Sequence, residues 1–451
     1  MRPDKFFSQK EILSCYKRFM PHRLLRYIAV SLILCGIPIF LQGCGSGSIP
    51  PLKLMTWSTN DDQAILQKQL TEFSLQNPKI KVELITCSTE KECRSEFGLR
   101  SQQERAPDVC MISSCDLSLW TEMRYVMDLL PYQPELKRFI PEIAGAFTKK
   151  ERLYALPCGW STLMLYYNRG LFERHGVPFP TSIWDWGDLL MAAQLLTVED
   201  PETNKTIQFG LDVTPSVIMW APFVWQNHGQ FMSDDGRWVL TDPQFCQSNV
   251  QAVEFYADLV REHHVAPCHR RLHGQSVQQG SFFIRQKAAM TIADRSLSAR
   301  LRGKTSFDWD IVSLPQNRIQ STLLSVYGFA MSSQSARQSD AWKLISFLTS
   351  ETIQSAMIMN GEYMPSLGTL LTSRIFLEFP GPRAIQNSAY QKSLASARFL
   401  PNTSFWSAAE PIFNEEMTAL MENPKATARE TVEQMQARLD ELTLTSRLKR
   451  K

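Results

Sequence analysis

Four catalytic signatures are missing from these 451 residues. There is no Gly-x-x-x-x-Gly-Lys-Ser/Thr phosphate loop and no His-Glu-x-x-His zinc helix. No Gly-x-Gly-x-x-Gly turn follows a strand, and no Gly-x-Ser-x-Gly elbow occurs. The cysteines never fall at Cys-x-x-Cys spacing, so no zinc site is expected. Short repeats and low-complexity tracts are absent as well. Neither charge dominates: 48 Lys and Arg face 45 Asp and Glu, which argues against a nucleic-acid partner. Carboxylates are plentiful but form no telling pair.

What is present starts with an export signal. Arg18, Arg23 and Arg26 precede the apolar run Tyr27–Leu41, which Gly36 and Pro38 interrupt. The run is shorter than the ~20 residues that span a bilayer, and small residues close it, so residues 1–43 read as a secretory signal. Met20 is a second candidate start that would give a signal of more usual length. Removing 1–43 takes away seven basic residues (2, 5, 10, 17, 18, 23, 26) and two acidic ones (4, 11). The remainder has 48 − 7 = 41 basic and 45 − 2 = 43 acidic residues, a formal charge of −2. Residues 44–51 form a Gly/Ser/Pro tether, and 446–451 a basic solvated tail. Seven cysteines remain in the body. Cys87/Cys93, Cys110/Cys115 and Cys246/Cys268 are neighbours in sequence, with disulfides and free thiols both open.

At this length the body suits two lobes rather than one core. Leu52–Trp57, Lys81–Thr86 and Val109–Ile112 read as strands, with a helix over Gln63–Asn77 that Pro78 ends. This alternation predicts an α/β fold with a largely parallel sheet. Later helices are expected over Trp186–Leu196, Val250–His263, Asp340–Leu348, Glu351–Met359 and Thr427–Leu442. Strands are expected over Ala288–Ile292, Trp309–Leu314 and Val326–Met331. Thr162–Tyr167 reads as a buried strand whose front end, Pro157-Cys-Gly-Trp-Ser161, should end a sheet. Of eleven tryptophans, Trp57 closes a strand, and Trp160 and Trp406 each follow a proline-marked break. Trp220 and Trp225 fall in a loop-like stretch, Val217–His228. Aromatic faces at strand ends beside Asp, Asn, Ser and Arg suit a ligand with apolar C–H faces and many hydroxyls.

Several blocks carry a resemblance. They are Leu54-Met-Thr-Trp57, Ala106-Pro-Asp-Val109, and Tyr154-Ala-Leu-Pro157 with Leu165-Tyr-Tyr-Asn168. Pro180-Thr181, Trp184-Asp-Trp186, Trp225-Gln-Asn-His-Gly229, Lys287-Ala-Ala-Met-Thr291 and Ala341–Ser350 follow in order. Pro401-Asn402 with Phe405-Trp406 resembles an aromatic ligand contact near the C-terminus. Together they resemble the extracellular solute-binding proteins of bacterial ABC importers, in the group that includes maltose- and glycerol-phosphate-binding proteins. Leu41-Gln-Gly-Cys44 resembles a lipoprotein signal, with Cys44 lipidated. The resemblance implies a two-lobed periplasmic-binding-protein fold (type II), with the ligand between the lobes. It places 52–158 plus 295–347 in one lobe and 159–294 plus 348–445 in the other.

By the same resemblance, ligand contacts are expected at Trp57, Thr59 and Asp61, at Ser113 and Asp116, and at Trp160 and Ser161. Trp220, Trp225, Asp294, Arg295, Tyr327, Gly328 and Trp406 complete the set. The implied protein is a non-enzyme without cofactor or metal, monomeric and lipid-anchored at the outer face of the bacterial cytoplasmic membrane. It delivers a sugar or glycosylated polyol, such as glucosylglycerol or trehalose, to the membrane permease of an ABC transporter by cleft closure. An exported carbohydrate-active enzyme with a carboxylate pair, and a ligand sensor docking on a receptor, are the alternatives.

Overall fold

The computed structural model describes residues 50–57, 60–268, 279–301, 305–361, 363–377 and 384–448. The signal segment, Cys44 and Thr59 lie outside them, as does the side chain of Asp61.

In chain order the first half runs β1 (Leu52–Trp57), α1 (Asn60–Gln76), β2 (Val82–Cys87), α2 (Glu90–Gln102), β3 (Val109–Ser113), β4 (Ala155–Thr162) and β5 (Met164–Asn168). Then come α3 (Trp186–Leu195), β6 (Val198–Glu199), β7 (Thr206–Asp212), α4 (Val217–Gln226), α5 (Cys246–Arg261), β8 (Ala288–Ala293) and β9 (Trp309–Ser313). The last part holds β10 (Thr322–Met331), α6 (Gln338–Leu348), β11 (Met364–Pro365), α7 (Ala384–Ser393), β12 (Ala397–Arg398), α8 (Trp406–Glu422) and α9 (Ala428–Leu448).

Two sheets organise the described residues. The first has the order β11-β4-β10-β3-β1-β2, with β12 beside β10. The second has the order β9-β5-β8-β7-β6. β1 lies between two parallel partners, which explains why both its faces are apolar. Local chemistry sets the helix starts. Thr89 accepts from Glu92 N at 3.1 Å to begin α2. Asp185 and Asp188 form a reciprocal capping box that begins α3.

Three expectations fail. Pro157-Cys-Gly159 does not end a sheet; β4 runs through it, buried at every residue, antiparallel to β10. The register slips there, with Gly159 opposite Tyr327 and Pro157 opposite Gly328, so Cys158 is the extra residue of a bulge. A bulge tolerates the missing proline N–H. The close approach of Tyr363 explains the glycine, since a Cβ on Gly159 would sit 2.7 Å from Tyr363 Cβ. The true crossing is the next break, where Leu163 alone separates β4 in one sheet from β5 in the other.

The lobes also differ from their expected bounds. β9 pairs antiparallel with β5, so 309–313 belongs to the second sheet. β11 joins the first sheet, and Ile358, Leu367 and Phe376 pack into the core below it. The late segment 348–398 therefore returns to the first lobe instead of building the second. Within that segment α7 leans across, where Tyr390 meets Tyr166 of β5 with hydroxyls 2.6 Å apart.

Val217–His228, expected as a loop, is mostly helix α4. It is apolar all round, the pattern of a helix buried on every side rather than of a surface helix. The N–H that Pro222 lacks is lost from its middle. Of the two alternatives left open for the seven body cysteines, the structure has free thiols throughout.

Candidate functional site

A partly open cavity of about 300 Å³ lies where the two sheets and their helices meet. The end of β3 supplies Ser113 and the turn after it Cys115; β10 supplies Ser325 and Tyr327. The second lobe supplies Met219 from α4, Asp294 after β8, and Trp406 and Glu410 from α8. Trp406 and Glu410 are four residues apart, so one face of α8 presents an aromatic ring and a carboxylate together. The strand-end position of Ser113 and Asp294 follows the rule that α/β sheets bind ligands beyond their carboxyl edges.

Charge in the cavity is concentrated on Arg94 of α2. Its Nε lies 2.5 Å from Asp116 Oδ1, its Nη2 3.4 Å from Glu90 Oε1, and its Nη1 3.5 Å from Glu410 Oε2. Glu410 comes from the second lobe and the other two carboxylates from the first. Burial pushes Asp116 up to about 7, against the pull of Arg94, and raises Glu90 in the same way. Burial likewise drives the Cys115 thiol well up, with Asp116 and Glu90 adding to the effect, so it is not a thiolate nucleophile. Glu90, Cys115 and Asp116 offer ligand atoms within 4.8 Å of one another, but the guanidinium already occupies the carboxylates. A second bridge between the lobes lies beside the cavity. Ser118 N donates to Asn402 Oδ1 at 3.2 Å, and Ser118 Oγ donates to Asn402 O at 2.9 Å.

Ser113, Asp294, Tyr327 and Trp406 line this cavity. Asp116 sits just behind it, 4% exposed, held by Arg94. Trp57 ends β1 with its ring edge-on to Tyr327 at 5.8 Å, one layer away. The remaining expected residues are placed otherwise. Trp160 is 0% exposed in the first core, and its Nε1 donates to Pro365 O at 2.8 Å. Ser161 is buried, with its Oγ accepting from Arg295 N at 2.9 Å. Arg295 itself is buried over the Tyr390 ring at 5.2 Å, not in the cavity. Gly328 lies inside the first sheet, where a Cβ would meet Phe147 and the Leu156 carbonyl at 2.7 Å. Trp220 packs on Phe231 and Phe413 in the second core.

Trp225 belongs to a different space. A more open cavity of about 560 Å³ adjoins the first and shares Phe399 and Asn402 with it. Trp225 and Arg398 line it, with the guanidinium 5.7 Å from the ring. The sequence reading missed Glu90, Arg94 and Glu410. The i,i+4 spacing of Glu90 and Arg94 is that of an ordinary helix-surface pair, and the four-residue spacing of Trp406 and Glu410 is the signal that could have pointed to the site.

A family model described as bacterial extracellular solute-binding protein matches residues 68–374. An ABC substrate-binding protein from Listeria monocytogenes, solved with cycloalternan, superposes with a TM-score of 0.79 at 21% identity, covering 87% of this chain and 98% of that one. Maltose-bound MalE3 of T. maritima gives 0.74 at 18% identity, covering 87% and 99%. UgpB from Mycobacterium tuberculosis, in complex with glycerophosphocholine, gives 0.75 at 17% identity, covering 89% and 100%. A binding protein of Brucella abortus (strain 2308) is 22% identical over 233 residues, 51% of this chain and 54% of the relative, so the match spans about half the relative's length. The fold is thus the mixed α/β, two-lobed fold of these solute-binding proteins.

Proposed function

The chain belongs to the family of bacterial extracellular solute-binding proteins, and from that premise we propose that it captures a sugar or glycosylated polyol between its lobes for an ABC importer. One observation carries the reading. The cavity sets three aromatic side chains, Trp406, Tyr327 and Phe399, among hydroxyl and carboxylate groups drawn from both lobes. Aromatic rings cover the apolar faces of a sugar, and the polar groups take its hydroxyls. The cavity is of a size for a small ligand, in the range of roughly 300 to 1,000 Å³ usual for such sites. Its contacts are Ser113, Asp294, Tyr327 and Trp406, joined by Glu90 and Arg94. Trehalose and glucosylglycerol are the compounds to test first. Lipid attachment at Cys44 and delivery to a membrane permease complete the proposal.

Titration calorimetry of residues 45–451 against a saccharide panel tests it. Binding of at least one di- or oligosaccharide is expected. Stabilisation by amino acids or metals alone, or release of cleaved product, would overturn it. Trp406→Ala should weaken saccharide binding at least about tenfold. Trp406 is 2% exposed and packs on Phe413, so Trp406→Phe serves as the variant that keeps the helix start packed.

A further inference from the structure

Building on the saccharide reading, we infer that the carboxylates around Arg94 make this cleft reject anionic ligands, and that the rejection is completed only when the lobes close. A buried arginine in a binding cleft ordinarily invites phosphate or carboxylate, because its planar fork matches their oxygens. Here carboxyl groups already surround the fork. Asp116 Oδ1 lies 2.5 Å from Nε, Glu90 Oε1 3.4 Å from Nη2 and Glu410 Oε2 3.5 Å from Nη1. Among the described residues lining the cavity, Arg94 is the one Arg or Lys, against Glu90, Asp294 and Glu410. The other nearby cations do not reach in. Arg295 is buried over Tyr390, and Lys149 and Arg398 line the neighbouring cavity, where Lys149 Nζ donates to Ser118 Oγ at 2.8 Å.

An anion entering this space would meet the carboxyl groups of Glu90, Asp294 and Glu410 against a single guanidinium, in a site where their opposition is weakly screened. The contributions are divided between lobes. Glu90 and Asp116 stand on the first lobe with Arg94, whereas Glu410 is carried on α8 of the second. An anion that engaged Arg94 in an open cleft would therefore face Glu410 on closing. A neutral polyol differs, because its hydroxyls donate to the same carboxylates. The cleft is thus built for uncharged saccharides and against sugar phosphates, uronates and phosphodiesters.

The test uses inorganic phosphate and glucose 6-phosphate as probes, with sodium chloride matched for ionic strength. The wild-type protein should show no rise in melting temperature beyond that of the salt control. The Glu90→Gln/Glu410→Gln double variant should bind phosphate at least about tenfold more tightly than wild type, because Arg94 is freed. Adding Arg94→Gln should remove that gain. Phosphate binding by wild type through Arg94, or no gain in the double variant, would overturn the inference. Should the double variant not fold, Glu410→Gln alone is read in the same way. The phosphate arms need no knowledge of the natural ligand, so a saccharide panel without hits would sink the proposed function and leave this comparison readable.

Discussion

Trp160→Ala separates a core residue from a ligand contact. The indole is 0% exposed among the side chains of the first core, and Nε1 donates to Pro365 O at 2.8 Å. Truncating a buried tryptophan costs about 3–5 kcal/mol through lost transfer energy and the cavity left behind. The orphaned Pro365 carbonyl adds on the order of 1 kcal/mol. A loss of roughly 4–6 kcal/mol in a lobe of about 200 residues should lower the melting temperature by on the order of 10 °C or more. Trp160→Phe keeps most of the volume and loses the hydrogen bond, so it should fall by only about a third as much. Calorimetric melting of both variants, with saccharide titration of whatever folds, decides the matter. A Trp160→Ala protein that melts like wild type but has lost its ligand would refute the placement of this side chain in the core.

Three other outcomes follow from the same geometry. Gly210→Ala should destabilise by several kcal/mol, because the new Cβ would collide with the Ala193 carbonyl of α3; chemical denaturation reads this, and an unchanged midpoint would contradict the packing of β7 on α3. Burial raises Asp116 to about 7, so the folded protein holds more protons than the unfolded chain from about pH 4 to about pH 7, and this group's contribution makes stability fall as pH climbs through that window. Asp116→Asn should flatten that slope in melts at pH 5 and pH 7, and an identical slope would show that the carboxyl titrates normally. Asn402→Ala removes one of the two hydrogen bonds from Ser118, so small-angle scattering should show a larger unliganded radius of gyration; no change would mean that this bridge does not hold the lobes.

Much of the architecture was visible in the residues. Strands with two buried faces, such as Leu52–Trp57, announce themselves as apolar runs, and Asp185 marks its helix start by side chain alone. What stayed hidden depended on partners distant in the chain. Pro157 and Gly159 look like breakers until Tyr327 and Gly328 supply the opposite side of a bulge. Val217–Gln226 has no polar face to give it a helical period, and a proline in its middle, so it resembled a loop. Trp160, Trp220 and Trp406 are all buried, and sequence alone could not tell that of the three only Trp406 also lines the cavity. Arg94 and Glu410 lie 316 positions apart and become neighbours only through folding.

The split between the sheets has a consequence for how the chain is made. β10 sits between β3 and β4 in the first sheet, yet it follows both by well over a hundred positions. The first lobe cannot complete its sheet until Thr322–Met331 is available, and the second needs α8 and α9 from the last tenth or so of the chain. A nascent chain would therefore carry gaps in both lobes through most of its synthesis, slow to close because the missing pairings are remote. The order of its strands thus leaves both lobes open to completion only when the last segment has emerged.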